Sequence, residues 1–118
     1  MNLDAPPAFS PPPALAFLLS RGLLGPAESS ALRPWYHLGA EAFWLDERWP
    51  AAGGDRLSAF ARRKDTDDIA CFKIEGGEVV AVVVAHGWTS RGYDLLASYE
   101  TVWDWLKSVI DDLAELVD

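Results

Sequence analysis

Half of the 118 residues are apolar, six are tryptophan and one is cysteine; this suits one domain with one core and excludes both a disordered chain and two separate domains. The formal charge is −8, with four basic and six acidic side chains in residues 1–60 against six and twelve in residues 61–118. Such a surface disfavours nucleic acid and anionic membranes as direct partners and suits a basic protein, although acidity also serves solubility alone.

Residues 1–13 contain five prolines and are expected to be extended and weakly ordered, as the leading part of a single domain spanning 1–118. Ala14-Leu15-Ala16-Phe17-Leu18-Leu19 then opens a short apolar helix expected to end near Gly22 or Gly25. A signal peptide is disfavoured because the leader holds Asp4 and no cation, and Arg21 interrupts the apolar run. That run is also far short of the ~20 residues of a membrane span. Ser29 to Pro34 reads as a turn, and Trp35-Tyr36-His37-Leu38 as a short first strand at the sheet edge. Helix formers dominate from Ala40 to Arg48, with Phe43, Trp44 and Leu45 as an apolar side, so a second, aromatic-rich helix is expected there. Trp49-Pro50 stops it, since a residue before proline is pushed out of the α region; residues 51–55 follow as a loop.

The centre of the chain is a meander. Residues 57–62 alternate as a half-buried strand, residues 69–74 form a second strand, and residues 79–85 run without a polar side chain. A β-branched run of that kind belongs inside a sheet with both faces covered. Between the last two strands, Glu75-Gly76-Gly77-Glu78 supplies two adjacent residues able to take positive φ, as a tight hairpin requires. Gly87 to Gly92 reads as a loop and residues 93–97 as a fourth strand. The final helix has Thr101 as N-cap with Asp104 three residues on, close to a capping box. Its apolar face is expected to comprise Val102, Trp103, Leu106, Val109, Ile110, Leu113, Leu116 and Val117, with Trp105 at the edge. Asp104, Asp111 and Glu115 share the opposite face, with Asp112 at its margin.

No motif for chemistry stands out. Cys71 lies inside a strand, where a buried structural thiol fits better than a nucleophile, and a single cysteine accords with a reducing cytoplasm. Asp65-Thr66-Asp67-Asp68 resembles part of a calcium loop but lacks the glycine and glutamate that complete one, so turn-capping aspartates are the favoured reading. His37 and His86 with a loop carboxylate could in principle ligate a metal, but nothing in their spacing demands it. Arg62-Arg63-Lys64 is followed at once by acids, which argues against a phosphate-binding patch. The last two turns of the final helix hold Asp111, Asp112, Glu115 and Asp118 where the helix dipole favours cations, at a cost of about 0.3–1 kcal/mol each before screening. A local rule broken without local gain points to binding or to solubility.

Residues 60–72, Phe-Ala-Arg-Arg-Lys-Asp-Thr-Asp-Asp-Ile-Ala-Cys-Phe, resemble the central motif of the SUKH superfamily of Smi/Knr-type proteins. Val84-Ala85-His86-Gly87-Trp88-Thr89, Gly92-Tyr93 and Val102-Trp103-Asp104-Trp105-Leu106 extend the resemblance in order across residues 57–117, about half the chain. The N-terminal half lacks the Leu-Pro and later Asn-Gly of that pattern. The resemblance implies an α+β fold: an antiparallel meander of about four to five strands, with the N-terminal helix, the short aromatic-rich helix and the long C-terminal helix packed on it. It further implies a non-enzymatic binding role without cofactor or metal, as in bacterial immunity proteins that neutralise a cognate toxin, or in regulatory interaction modules. The rival is a small metal-dependent hydrolase using Asp65, Asp67 and His86.

Connectivity locates a candidate surface. Alternate turns of a meander fall at the same end of the sheet, so the loop 63–67 and the loop 87–92 share one rim. The final helix should run back along the sheet and bring its acidic end to that rim. Asp65, Asp67, Trp88, Arg91, Asp111 and Glu115 are thereby expected in one region, acids for steering a basic toxin domain and tryptophan for anchoring it.

Overall fold

A computed structural model describes residues 12–26, 30, 32, 34–39, 43–45, 56–88 and 92–117, with the backbone alone at 43, 87, 88, 92–94, 116 and 117. Expectations for residues 1–11, for most of the turn before Pro34, for the stop at Trp49-Pro50, for the loop 51–55 and for Arg91 lie outside these residues.

Helix α1 covers Pro13–Ser20 and starts on a proline, whose missing N–H costs nothing at the first helical position. Its end follows the Schellman pattern: Gly22 at φ +69° donates its N–H to the Leu19 carbonyl, and Leu23 N–H reaches the Leu18 carbonyl. Leu15 and Leu18 are buried, while Phe17 and Leu19 remain well exposed.

Among the described residues six strands form one antiparallel sheet: β1 (Trp35–His37), β2 (Phe43–Trp44), β3 (Arg56–Arg63), β4 (Asp68–Glu75), β5 (Glu78–Trp88) and β6 (Gly92–Tyr99). The order is β1-β3-β4-β5-β6, and β2 pairs with β3 alongside β1. The α+β class and the meander stand, with two corrections. Phe43 and Trp44 pair with Ala59 and Ser58 as a strand, where a helix was expected from local propensity; the sheet partner overrides that propensity, and the remainder of 40–48 except Leu45 lies outside the described residues. The strand β5 continues through Gly87 and Trp88, opposite Tyr93 and Gly92, so the expected loop 87–92 shrinks to the connection 89–91.

The turn between β4 and β5 matches its expectation. Gly76 and Gly77 have φ of +61° and +80°, the pair of positive values that a type I′ hairpin demands, and Glu75 faces Glu78 across it.

Helix α2 covers Val102–Val117, and Thr101 caps it. Thr101 Oγ1 accepts the Asp104 N–H at 3.1 Å and donates to the Asp104 carboxylate at 3.0 Å. Among its described side chains, Val102, Trp105 and Val109 are buried, with Leu106 and Leu113 partly buried; Trp103 and Ile110 are exposed. The inward stripe is therefore rotated from the expected one. Trp105 sits at its centre, because the cavity between Trp35 and Phe60 accepts an indole edge to face, at 5.4 Å and 85° from Trp35 and 5.3 Å and 74° from Phe60. Phe60 stacks on Phe72 at 4.1 Å.

The core has two layers. On the helix side, Leu15, Leu18, Trp35, Phe60, Phe72, Val82, Trp105 and Val109 pack together. On the other face, Leu38 and Leu45 cover Leu57, Ala59, Ile69, Cys71, Val83 and Ala85. The centre of β5 is thus covered on both sides, as its β-branched run predicts, whereas Val80 near its start is 43% exposed. The register shift between Ala59 and Ala61 makes Phe60 the extra residue of a β3 bulge, which lets Phe60 and Ala61 both join the helix-side cluster.

Val82 is 1% exposed against the helix layer. Val82→Asp is expected to abolish cooperative folding, since a buried unpaired carboxylate costs several kcal/mol against a typical total of about 5–15. A cooperative thermal melt of that variant, followed by circular dichroism, would refute the placement of β5.

Candidate functional site

The rim at which β3 turns into β4 is built by salt bridges. Asp67 takes φ +62°, which aspartate tolerates better than most residues, and its N–H donates to the Arg63 carbonyl. Thr66 Oγ1 accepts the Asp68 N–H at 3.3 Å. The two arginines of the basic run turn onto the acids that follow them. Arg62 Nη2 donates to Asp67 at 3.1 Å, and Arg63 grips Asp65 through Nε and Nη2 at 2.7 and 3.1 Å. These aspartates shape the turn by pairing with arginine, whereas backbone capping was expected of them.

Arg63 also reaches across the fold. Its Nη1 donates to Asp112 Oδ2 at 3.2 Å, which fixes the C-terminal half of α2 at this rim. The hydrogen bond from Arg63 to Asp65, reinforced by the charges of Asp65, Asp112 and Asp68, raises the guanidinium pKa further. The expected return of α2 is therefore observed, through Asp112 and not through the two acids singled out from the sequence. Asp111 and Glu115 are exposed on the same turns.

Of the six residues proposed to gather, Asp65 and Asp67 lie in the β3–β4 turn and are exposed, with Arg63 and Arg62 as partners. Trp88 closes β5 at this end of the sheet, opposite Gly92, and its side chain is outside the described residues, as is all of Arg91. Residues 62–68 with 111, 112 and 115 set six carboxylates against three cations. Sequence reasoning missed Arg63 and Asp112 as the pair that assembles the rim; basic residues immediately before acids were the available signal.

The histidines are not side by side. His37 in β1 and His86 in β5 are three strand positions apart, about 14 Å at ~4.8 Å per step, with buried Ala61 and Ala70 on the strands between. His86 instead faces Asp68 in register, its Nδ1 3.0 Å from the carboxylate. The hydrolase set is likewise dispersed in its contacts, with Asp65 on Arg63, Asp67 on Arg62 and His86 on Asp68. Among the described residues no group of three or more His, Cys, Asp or Glu is disposed to hold a metal ion. No helix among them is long and apolar enough to cross a membrane.

Two depressions lie at the opposite end of β5. One, of about 330 Å³, is lined on the helix side by Pro12, Pro13, Val79, Thr101, Val102 and Trp103. The other, of about 510 Å³, opens on the other face between Lys73, Val80, Leu95 and Leu96. Comparison with protein-family models, with curated proteins and with solved structures finds no match.

Two outcomes follow. Arg63→Ala and Asp112→Ala in a double-mutant cycle should show a coupling of about 1 kcal/mol by urea unfolding, and additive effects would mean that the pair does not fasten α2. Burial lowers the His37 pKa below its usual 6.5. In the window beneath 6.5 the unfolded chain binds the proton first, so stability should fall on acidification from about pH 7 to about pH 5. His37→Phe should flatten that slope in urea melts; an unchanged slope would assign it to other groups.

Proposed function

We propose that this chain is a non-enzymatic protein-binding module of the SUKH, Smi/Knr-like kind, acting in the cytoplasm as an immunity-type protein that binds and neutralises a basic toxin domain. The observation that carries the reading is the Arg63–Asp112 contact, which draws the acidic end of α2 onto the β3–β4 rim. Exposed Asp111 and Glu115 then stand at the same end of the molecule as Asp65 and Asp67. A concentration of acids of this sort raises the encounter rate with a basic surface. Paired acids such as Asp65 and Asp67 contribute less net field than Asp111 and Glu115, so the helix is the stronger source. Trp88, at the same end of β5, is the proposed anchor, with Arg91 beside it in sequence.

The reading is tested by co-expression with the toxin encoded by the gene immediately upstream, where one is present. The expected result is survival of the host and a one-to-one complex by calorimetry. A chain that neither protects nor binds, or that turns over a substrate unaided, would defeat it. Asp111→Lys with Glu115→Lys should slow association by about tenfold at low salt, with the difference shrinking as salt rises, and Trp88→Ala should mainly speed dissociation. Folded variants that bind like the parent would place the surface elsewhere.

A further inference from the structure

The sheet ends at β6, which pairs only with β5 among the described residues. An end strand leaves a row of backbone N–H and C=O groups open to another strand. Natural edges are commonly guarded by lysine or proline, and β6, Gly-Tyr-Asp-Leu-Leu-Ala-Ser-Tyr, holds neither and carries one charge, Asp94.

Beside this edge the fold exposes apolar side chains. In the β4–β5 ladder Lys73 faces Ala81 and Ile74 faces Val79, so Val80 is an extra residue. In the β5–β6 ladder Val84 faces Ala97 and Ala85 faces Leu95, so Leu96 is another. A bulge re-aims the side chain at its site. Val80, Leu95 and Leu96 are 43%, 55% and 54% exposed, and all three line the 510 Å³ depression, above buried Leu57 and Val83. Two bulges on adjacent strands thus turn apolar residues into one hollow at a sheet edge. Bulges also hinder edge pairing by twisting the strand, so the leucines must supply much of the contact energy and the ladder only part.

We propose that this edge and its hollow form a symmetric interface between two copies of this chain. An antiparallel strand is its own complement under a two-fold axis, so β6 can pair with β6 of a second copy while each copy's leucines enter the other's hollow. Charge selects this occupant over a basic protein. Two chains of −8 repel across most of their surface. Among the described residues the lining of the hollow holds one cation, Lys73, itself 3.7 Å from Glu75, and no carboxylate. Two copies therefore approach here at least electrostatic cost, whereas a basic partner finds its attraction at the acidic rim at the other end of β5.

The test is sedimentation equilibrium of the full chain from about 1 to about 200 µM, at low and high salt. The expected result is a dimer of the 13.0 kDa chain that tightens as salt screens the repulsion. Leu95→Glu with Leu96→Glu should weaken it at least about tenfold, and Ile110→Glu, exposed on the helix side, should leave it unchanged. Hydrogen exchange on the unaltered chain needs no variant: β6 amides should gain protection as concentration rises. A monomer throughout the range overturns the proposal. So does a dimer that Ile110→Glu breaks and the leucine variant leaves intact, or a monomer whose leucines are covered only on adding the basic partner.

Discussion

Trp105 is the side chain on which the two halves of the chain meet. It comes from the last helix, fills the gap between Trp35 of the first strand and Phe60 of the third, and is 1% exposed. Burying an aromatic of ~150–250 Å² is worth about 4–6 kcal/mol at ~25 cal/mol per Å², as an upper bound. The edge-to-face contacts add about 0.5–1.5 kcal/mol each. Against this, the indole N–H groups of Trp35 and Trp105 are buried without an acceptor among the described residues, a cost of about 1–3 kcal/mol apiece. Burial wins, narrowly enough that the arrangement depends on close packing: Phe72 backs Phe60, and Val109 and Leu18 close the cluster.

With α2 pinned by Trp105 in its middle, Arg63 fixes its far end. The molecule is thereby polarised along its strands. One end collects arginine–aspartate pairs and exposed helix acids; the other carries apolar hollows on both faces of β5. Charged surfaces govern encounter and apolar ones govern residence. The two associations proposed above would therefore use two ends of one sheet without competing.

The meander was legible because its signals are local. The run 57–62 is a strand as read, although Leu57 to Ala61 are buried in succession where a half-buried alternation was expected, because both faces of β3 are covered. The β-branched run of β5 and the Gly76-Gly77 pair each specify their own conformation. The strand Phe43–Trp44 was illegible for the converse reason, since its neighbours in sequence are helix formers and its partner, β3, is distant. In α2 apolar residues surround so much of the helix that periodicity alone could not choose between Trp103 and Trp105; the shape of the gap beside Trp35 decides it. The rim followed from counting hairpins, but the contact that fastens the helix to it depends on helix rotation and is made by Asp112. The hollow was invisible because a bulge inside an apolar run leaves no mark on hydropathy.

Trp35 and Trp105 also set where the chain can change length over time. Their contact closes a span of some seventy positions, and the entropy of such a closure grows so slowly that doubling a loop adds only about 0.6 kcal/mol. Insertions between β2 and β3 are therefore cheap for this architecture. The Gly76-Gly77 turn is less forgiving, because one added residue must either lengthen the two-residue loop or be absorbed as a further bulge if the side chains of β5 are to keep their faces. Related chains should thus vary less in the distance between β4 and β5 than in the length ahead of β3.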